Sequence, residues 1–560
     1  MVKHWQFGVG LLLSVSLLWP LVVAPYFSHQ DNVQTMRIYE MHQCIVDLQI
    51  PCRWVPDLGG GYGNPLFNYY APLPYYVGEL FYLTTHNVIT AAKLTFATGF
   101  VAAFVFMYLF ARRLWGELGG SLSAIFYVLA PYHARNMYIR GAMGELWAMA
   151  AFPLVFWAFL RLRDRMTAWN ALLLGGAVAL LMVSHNLSAA LFFGVLALIA
   201  ALHVWSSRQF TYARYLVLAV LWAIALSAFY LFPMLLETGA VHLETMTINE
   251  LNYAEQFQGL RTLLVEQPWW SASVYYQIGT LHVLVWALSL FAVWRCWRKN
   301  TDLRFIVLPL SLVIVVCIYM ITPASAWIWD RIGPLSLLQF PWRLLSLISF
   351  GTATAAGAIM LLVRNHTARL VLWWVLVVLV TALNVGYFRP DRFLNVSQDE
   401  LLSDGGWDNL RMYAIGDFLP KSVQVAPRQP AEALYEQVSG QSDITDPTSG
   451  SNWVRFDATS RSDAVVQINK FDFPNWEVTV DGQPVAHSHD DTTGAIQVSL
   501  PAGAHTIAAR LRDTPIRIAG NIVSALALLL LAILILRCGI LQDMVDRSRS
   551  RITRQGSAQC

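Results

Sequence analysis

The sequence predicts a polytopic α-helical membrane protein that carries a small β-rich domain outside the lipid bilayer. Only 13% of the 560 residues are charged and 56% are hydrophobic, whereas soluble domains carry about 25% charged residues. Long apolar runs recur almost from one end of the chain to the other, which predicts membrane helices. A polar block rich in Asp, Gly, Pro and Ser near the C-terminus predicts the β-rich domain.

Twelve apolar runs are long enough to cross a bilayer as helices, each with roughly 17 to 23 residues. The first run begins after Lys3 and could be a signal peptide. We expect it to be a membrane helix, because no small-residue cleavage site precedes Tyr26. The predicted helices lie near 6–24, 88–110, 117–132, 145–161, 168–185, 187–205, 214–236, 277–294, 304–321, 342–363, 369–388 and 516–536.

The basic residues predict the orientation of these helices. With the N-terminus inside, the alternate short loops that carry the basic residues named below fall on the cytoplasmic side, as the positive-inside rule requires. Both termini are therefore predicted to be cytoplasmic in a cell membrane, and the loops 25–87, 133–144, 237–276, 322–341 and 389–515 face outward. The residues behind this orientation are Arg112, Arg113, Arg161, Arg163, Arg165, Arg208, Arg214, Arg295, Arg298, Lys299, Arg304, Arg364, Arg369, Arg537, Arg547, Arg549, Arg551 and Arg554.

Residues 389–515 differ from the rest of the chain in charge and in turn residues. Apolar and polar residues alternate over 454–458, and Asp481-Gly482 is a hairpin-turn signal. These patterns predict a small β-sandwich over about 395–512. The predicted organisation is a membrane domain at 1–388 with the long first loop 25–87, a β-rich domain at 389–515, and a last helix with a basic cytoplasmic tail at 516–560.

Composition and cysteine placement narrow the classes of function. The net charge is +3 and the basic residues lie in separate short loops, so no nucleic-acid partner is predicted. Cys44 and Cys52 are the cysteine pair predicted outside, and the sequence leaves open whether they form a disulfide. The glycine-rich stretch 59–65 lacks the Lys-Ser/Thr ending of a phosphate loop, so an aromatic-lined turn is the better interpretation.

Charged residues gather at helix ends on the predicted outward face, where they suggest a site. Asp31 follows the first helix, Glu145 opens the fourth and Arg343 begins the tenth. Each has a simpler interpretation, namely solvation of Asp31, a helix-dipole partner in Glu145 and headgroup contact by Arg343. His185, between two spans, is more often a turn residue satisfied by backbone than a base. The other outward candidates are Arg53, Asp57, Arg135, Arg140 and Glu237.

Several segments together resemble one family of bacterial membrane proteins. They are Asp31, the first-loop run from Pro51 to Tyr76, Arg140-Gly-Ala-Met-Gly-Glu145, Ser184-His-Asn-Leu-Ser188 and Leu338-Gln-Phe-Pro-Trp-Arg343. Over nearly its whole length the sequence resembles the membrane proteins labelled pyruvoyl-tetrahydropterin-synthase-related, which belong to the GT-C superfamily of polytopic glycosyltransferases. The run from Phe473 to Gly482 is similar to the C-terminal β-domain of the YfhO-like proteins. No metal site of a soluble pterin synthase is visible.

The resemblance implies a membrane glycosyltransferase that moves a sugar, with inversion, from a polyprenyl-phosphate donor to an extracytoplasmic glycan, lipid or protein acceptor. In such a reaction the acceptor hydroxyl needs a carboxylate base, and the leaving lipid phosphate needs a cation. Asp31 is assigned as the base and Arg343 as the phosphate ligand. The expected substrate-binding residues are Arg53, Asp57, Arg135, Arg140, Glu145, His185 and Glu237. A divalent metal such as Mg²⁺ or Mn²⁺ is left open.

Two other functions compete with the transferase. A lipid or polysaccharide transporter, or flippase, would predict ionisable residues at helix midplanes, broken helices and repeated halves. Here most ionisable residues lie at span ends, and no internal repeat is visible. The third hypothesis is a non-catalytic scaffold for cell-envelope assembly, in which the β-domain positions partners. The sugar, the acceptor and the oligomeric state are not fixed by the sequence.

Overall fold

The computed structural model describes residues 4–248, 251–265, 276–296, 302–413 and 415–556, and their side chains except those of 404 and 538–556. Arg298 and Lys299, which entered the predicted orientation, lie outside these ranges. The side chains of Arg547, Arg549, Arg551 and Arg554 are likewise outside the described part. Within it, the chain combines a bundle of apolar helices with a β-sandwich.

Eight helices in the described ranges are long and apolar enough to cross a membrane, judged by length and composition. They are Val88–Val128, Met143–Asp164, Asn186–Ser207, Phe210–Leu236, Leu303–Ile321, Pro341–Leu361, His366–Tyr387 and Pro515–Arg537, the last being part of a helix that continues to Gly556. Three shorter apolar helices accompany them, Trp5–Ser16, Ala168–Ser184 and Thr280–Cys296.

Each of the twelve predicted apolar segments lies largely within observed helix. The helix Val88–Val128 contains two of them, and Gly116 breaks it with φ 72° and ψ −172°. Glycine adopts this positive φ without steric cost because it has no Cβ. The first predicted segment is divided, since Trp5–Ser16 is followed by a separate short helix at Pro20–Val23. The count of twelve crossings stays a prediction.

The segments between the apolar helices contain shorter helices. Cys44, near the end of the first of them, forms a disulfide with Cys52, and the two Cα atoms are 5.4 Å apart. The sequence left open whether this disulfide forms, and in the structure it is present within the first loop. The short helices are Gln34–Val46, Leu66–Tyr69, Leu73–Thr85, Pro131–Ala134, the π-helix Arg135–Arg140, Leu260–Leu264, Ala326–Arg331, Gln398–Leu401 and Asp404–Met412.

The strands form one small ribbon and two larger antiparallel sheets. In the ribbon, β1 (Tyr26–Phe27) pairs with β2 (Phe393–Leu394). This pairing joins the first loop to the start of residues 389–515, which we call the C-terminal block. The strand orders of the larger sheets are β3-β6-β10-β9 and β4-β5-β11-β7-β8. Their strands are β3 Tyr435–Ser439, β4 Ser442–Ser449, β5 Trp453–Ser460, β6 Ala464–Phe471, β7 Trp476–Val480, β8 Gln483–Val485, β9 Ser488–His489, β10 Ala495–Leu500 and β11 Gly503–Leu511.

The core of the sandwich follows from the alternation in the sequence. Because successive side chains of a strand point to opposite faces, every second residue enters the core. Phe456 of β5, Ile468 of β6 and Val498 of β10 are all buried. The predicted hairpin is also present, since Asp481 and Gly482 join β7 to β8 with φ values of 52° and 76°. Positive φ at both central residues is the geometry of a type I′ turn.

The predicted sandwich is wrong at its N-terminal end. The two sheets begin at Tyr435 rather than near residue 395. The intervening segment instead contains the helices Gln398–Leu401 and Asp404–Met412. The first of these helices is capped by Ser397 and Glu400, which form a reciprocal capping box. The Ser-x-x-Glu pattern is a helix-start signal, and it was a better guide here than the polar composition.

Candidate functional site

Glu145 is buried at the centre of a group of charged and aromatic side chains. It lies in the first turn of the helix Met143–Asp164 and is 1% exposed. Its carboxylate accepts hydrogen bonds from Arg140 Nη1 at 2.7 Å and from the Tyr132 hydroxyl at 2.5 Å. The helix-dipole interpretation of Glu145 is therefore incomplete, because the carboxylate also neutralises a buried arginine.

Arg343 approaches the same carboxylate from the other side. Its Nε is 3.9 Å from Glu145 Oε2, and its Nη1 donates to the Leu338 carbonyl at 3.0 Å. The adjacent Trp342 places its ring 4.5 Å from the Arg140 guanidinium carbon. Arg343 Nε is buried without a hydrogen-bond partner in the described part of the chain. Two arginines therefore flank one buried carboxylate, and one of them has an N–H group left for another acceptor.

Arg135 contacts this group through two stacked aromatic rings. Its guanidinium lies 4.0 Å from the centre of the Tyr276 ring. That ring stacks on Trp342 at a centroid distance of 4.0 Å. A cation over an aromatic face is attracted by the ring quadrupole, so the stacked pair of Tyr276 and Trp342 connects Arg135 to Arg140.

The loop with Asp31 lies directly over the Arg140 segment. The Asp31 amide donates to the Arg140 carbonyl at 2.8 Å, and the Gln34 side-chain amide donates to the Gly141 carbonyl at 2.8 Å. Gly141 permits this approach, because a Cβ there would lie 2.6 Å from the His29 ring. Asp31 is half-buried, and its charge interacts electrostatically with those of Arg140 and Arg343.

His185 completes this cluster and also caps a helix. Its Nδ1 accepts from the Ser188 amide at 3.2 Å, at the start of the helix Asn186–Ser207. The predicted turn role is therefore correct. The ring nevertheless lies close enough to Glu145 and Arg343 to interact with their charges. We call Asp31, Arg140, Glu145, His185 and Arg343 the loop cluster.

A carboxyl group near Asp31 and a cation that interacts with this carboxyl group were not among the predicted site residues. Asp417, from the C-terminal block, interacts electrostatically with Asp31 and with Arg37. Burial raises the pKa of the Asp417 carboxyl to about 6, with Arg37 opposing this shift and Asp31 adding to it. Arg37 is buried in the helix Gln34–Val46, where its guanidinium carbon lies 4.2 Å from the centre of the Tyr70 ring. No local motif marks either residue.

Asp57 belongs to a second group of charges, between the first loop and the β-sandwich. Its carboxyl lies near Lys470 of β6 and Arg411. The Lys470 ammonium donates to the Pro56 and Gly61 carbonyls at 3.1 and 2.8 Å. Burial raises the pKa of Asp57, while Lys470 and Arg411 oppose that shift. A carbonyl of the glycine-rich stretch therefore accepts a hydrogen bond from a lysine of the β-sandwich.

Glu237 and Arg53 belong to a third group, at the start of the last helix. Glu237 pairs with Arg517 Nε at 2.8 Å. Arg53 donates to Asn68 and Asn521 at 3.2 and 2.7 Å. Asn68 also donates to Glu237 at 3.2 Å, which links Arg53 to the Glu237–Arg517 ion pair. The structure thus separates Asp57, Glu237 and Arg53 from the loop cluster.

The described residues contain no group of three or more His, Cys, Asp or Glu side chains that could hold a metal ion. The two carboxylates closest to the proposed chemistry, Asp31 and Glu145, do not form such a group. Glu145 is already occupied by Arg140 and Tyr132. The sequence left open whether a divalent metal binds, and we assign no set of ligands to such a metal among the described residues.

Three solved structures show the kinds of protein to which this fold is similar. The arabinofuranosyltransferase AftD from Mycobacteria is 19% identical, with a TM-score of 0.48 over 70% of this chain and 28% of its own. ArnT from Cupriavidus metallidurans, bound to undecaprenyl phosphate, is 11% identical, with a TM-score of 0.44 over 68% of this chain and 64% of its own. The Archaeoglobus fulgidus oligosaccharyltransferase, tethered to an acceptor peptide, is 14% identical, with a TM-score of 0.45 over 78% and 61%. The chain spans less than two thirds of each of these proteins.

The sequence comparison gives a family. No curated protein matches the chain. The sequence model described as 6-pyruvoyl-tetrahydropterin synthase related domain, membrane protein, matches residues 67–390. This match covers more than half of the chain, including Arg140, Glu145, His185 and Arg343 of the loop cluster. The chain therefore belongs to the family of 6-pyruvoyl-tetrahydropterin synthase related membrane proteins.

Proposed function

We propose that the chain transfers a sugar from a polyprenyl-phosphate donor to an acceptor on the extracytoplasmic side of a cell membrane, with inversion at the anomeric carbon. Asp31 is the base that receives the acceptor proton, and Arg343 is the cation that binds the donor phosphate. The observation that carries this proposal is the loop cluster, in which the half-buried Asp31 interacts electrostatically with two buried guanidinium groups from distant parts of the chain.

The cluster supplies the two groups that this reaction requires. An acceptor hydroxyl oxygen attacks the anomeric carbon while its proton passes to the Asp31 carboxylate. The anomeric C–O bond to phosphate breaks, and its electron pair stays on the phosphate oxygen of the lipid. An inverting displacement needs one enzymic base, and a single half-buried carboxylate is sufficient for that role.

Glu145 has a supporting role in this proposal. It accepts from Arg140 at 2.7 Å and lies 3.9 Å from Arg343, so it keeps both cations in place before any donor binds. Preorganised charges stabilise a transition state best, because they do not need to reorient as charge develops on the leaving group. Arg343 Nε, which is buried without a hydrogen-bond partner in the described residues, is the N–H group available to a phosphate oxygen.

The position of the cluster fits a lipid-linked donor. Arg343 belongs to Pro341–Leu361 and Glu145 to Met143–Asp164, both of which are apolar enough to cross a membrane. Asp31 lies in the first loop, at the same end of these helices. A donor with its lipid tail beside the helices would therefore present its phosphate to Arg343 and its sugar toward Asp31.

The test is a transfer assay with the purified full-length protein in lipid nanodiscs and a panel of polyprenyl-phosphate sugars. Release of the lipid phosphate is measured for Asp31→Asn and Arg343→Ala. Asp31→Asn should lower turnover by about 10² to 10⁴-fold while donor binding changes little, because the amide cannot accept a proton. Arg343→Ala should weaken donor binding and turnover together, because the cation meets phosphate in both the ground and transition states.

Asp399→Asn and Arg392→Ala are the matched controls. Both side chains are exposed in the segment that precedes the β-sandwich, so neither change should alter transfer. Full turnover in Asp31→Asn would show that Asp31 is not the base. Movement of lipid across the bilayer without product in any variant would favour the transporter instead.

A further inference from the structure

A charged cleft lies where the β-sandwich meets the last helix, separate from the loop cluster. It has a volume of about 200 Å³ and is lined by Arg53, Arg510, Arg512, Asp513 and Arg517 among others. At roughly 30 Å³ for each water molecule, this space corresponds to about seven waters. Four arginines and one acidic residue, Asp513, line this cleft, so its lining has an excess of positive charge.

Two of these arginines are buried and incompletely satisfied. Arg517 is 1% exposed and Arg53 is 4% exposed. Arg517 Nη2 and Arg53 Nε have no hydrogen-bond partner among the described residues, although Arg53 Nε lies 3.3 Å from Asp513. Burial lowers the pKa of Arg53 to about 10; Asp513 opposes the shift, and the Arg517 charge adds to it. Buried N–H groups of this kind favour an acceptor in the cleft.

The other two arginines form the exposed rim. Arg510 is in β11 opposite Glu477 of β7, but it forms no ion pair within the described ranges. Arg512 pairs with Glu477 at 3.0 Å, but both side chains are about half exposed. An exposed ion pair of this kind contributes little stability, so Arg512 is available to an incoming anion. The cleft therefore combines two buried guanidinium groups with two exposed ones.

The cleft also lies at the boundary of a membrane helix. Arg517 is the third residue of the helix that begins at Pro515, and Pro515–Arg537 is a candidate membrane span. Basic residues at this level contact the phosphates of lipid headgroups. The helix Gln34–Val46 has 13 residues and connects the Asp31 loop to the segment before Arg53. At about 1.5 Å per residue, the two ends of this helix lie roughly 20 Å apart, so the helix separates the Asp31 loop from the segment before Arg53.

We propose that this cleft binds one phosphate-bearing anion through Arg53, Arg510, Arg512 and Arg517. The phosphate belongs either to the headgroup of an anionic lipid in the outer leaflet or to a soluble phosphate compound. Guanidinium groups bind phosphate with paired, charge-assisted hydrogen bonds, so this is the ligand class that the cleft favours. The proposal does not depend on the transferase reaction, because binding requires no sugar donor.

The experiment uses the full-length protein and a variant that removes only the rim, Arg510→Gln with Arg512→Gln. Both side chains are exposed, so the variant should unfold at the same temperature as the wild type. Arg428→Gln with Arg461→Gln is the matched control, since these arginines are also exposed on the C-terminal block but do not line the cleft. Equal unfolding temperatures for the three proteins establish that any difference in binding is local.

Two probes distinguish the sources of phosphate. Inorganic pyrophosphate is titrated by calorimetry into nanodiscs of phosphatidylcholine, and retained phosphatidylglycerol is counted by native mass spectrometry after release from mixed nanodiscs. The wild type and the control should bind one of these probes with a stoichiometry of one, and the rim variant should bind it about tenfold or more weakly. Phosphatidylglycerol alone identifies a lipid headgroup, and pyrophosphate identifies a soluble ligand. Equal binding by all three proteins, or no binding of either probe to the wild type, would overturn the proposal.

Discussion

Removal of the Glu145 charge should destabilise the protein more than removal of any exposed acidic charge. In Glu145→Gln the side chain keeps its size, and Tyr132 can still donate to the amide oxygen. Arg140 and Arg343 then lose the carboxylate that lies 2.7 and 3.9 Å from them. Both guanidinium groups are buried, so water cannot readily replace that carboxylate.

The magnitude follows from these distances. With an effective dielectric constant of about 20, the gross Coulomb attraction is about 6 kcal/mol at the shorter distance and about 4 kcal/mol at the longer one. Most of this attraction is offset by the cost of removing the charges from water. Measured losses after one partner of a buried pair is removed are about 3–5 kcal/mol, and we expect Glu145→Gln to fall in this range.

The assay is reversible unfolding of the purified protein in mixed micelles, with the unfolding free energy obtained from the denaturant dependence. The matched control is Glu477→Gln, which breaks the exposed pair with Arg512 at 3.0 Å. That change should cost about 0–1 kcal/mol, because water screens both charges. A loss in Glu145→Gln no larger than in Glu477→Gln would refute the argument, since it would mean that the two arginines do not depend on Glu145.

Three further predictions concern topology, the disulfide and pH. A single cysteine introduced at Ser462 should react with an impermeant thiol reagent from outside intact cells, and one introduced at Ser206 should not. The reason is that the positive-inside rule places these positions on opposite sides of the membrane. Labelling at position 206 would show that the predicted orientation is inverted. Mass spectrometry of unreduced protein should find one peptide linked through Cys44 and Cys52, and two free thiols in protein from an oxidising compartment would contradict the structure. Burial lowers the pKa of Lys470 to about 8, below its value of ~10.4 in the unfolded chain. The unfolded state therefore binds more protons between these pH values, so the unfolding free energy should rise over this window in the wild type, with a smaller slope in Lys470→Met. Equal slopes would remove Lys470 as the cause.

The apolar helices could be predicted from the sequence because each depends on the length and composition of one continuous segment. An apolar run of sufficient length can satisfy its backbone in lipid only as a helix, and each of the twelve runs lies largely within observed helix. The hairpin at Asp481-Gly482 could also be predicted from the sequence, because both residues tolerate positive φ. The predicted boundary near residue 395 is wrong for a local reason as well, because Ser397 and Glu400 cap a helix in a segment whose polar composition predicted strands.

The candidate site could be predicted only in part, because its contacts are not local. Asp31, Glu145 and Arg343 were visible as charges at helix ends, but no spacing in the sequence shows that one carboxylate lies between Arg140 and Arg343. Asp417 was missed for the same reason, since it reaches Asp31 from a distant part of the chain.

Asp57 and Glu237 show why charge on the predicted outward face was an incomplete guide. Both are acidic residues of loops or helix ends, as is Asp31, but each interacts with a cation contributed by the C-terminal part of the chain, Lys470 or Arg517. Burying an ion pair adds little net stability, but breaking one is costly, so such pairs favour one arrangement of the parts they join. The Asp57 contact therefore joins the β-sandwich to the first loop, and the Glu237–Arg517 pair joins the last helix to the end of the helix Phe210–Leu236.

That arrangement has a consequence for the proposed chemistry. The residue before Asp31, Gln30, accepts a hydrogen bond on its carbonyl from the Tyr413 hydroxyl of the C-terminal block. The Asp31 amide is meanwhile bound to the Arg140 carbonyl at 2.8 Å. The loop is thus held on one side by the helix bundle and on the other by the C-terminal block. A base fixed from two sides loses little conformational entropy when an acceptor binds, so the docking of the C-terminal block is part of how the proposed site is preorganised.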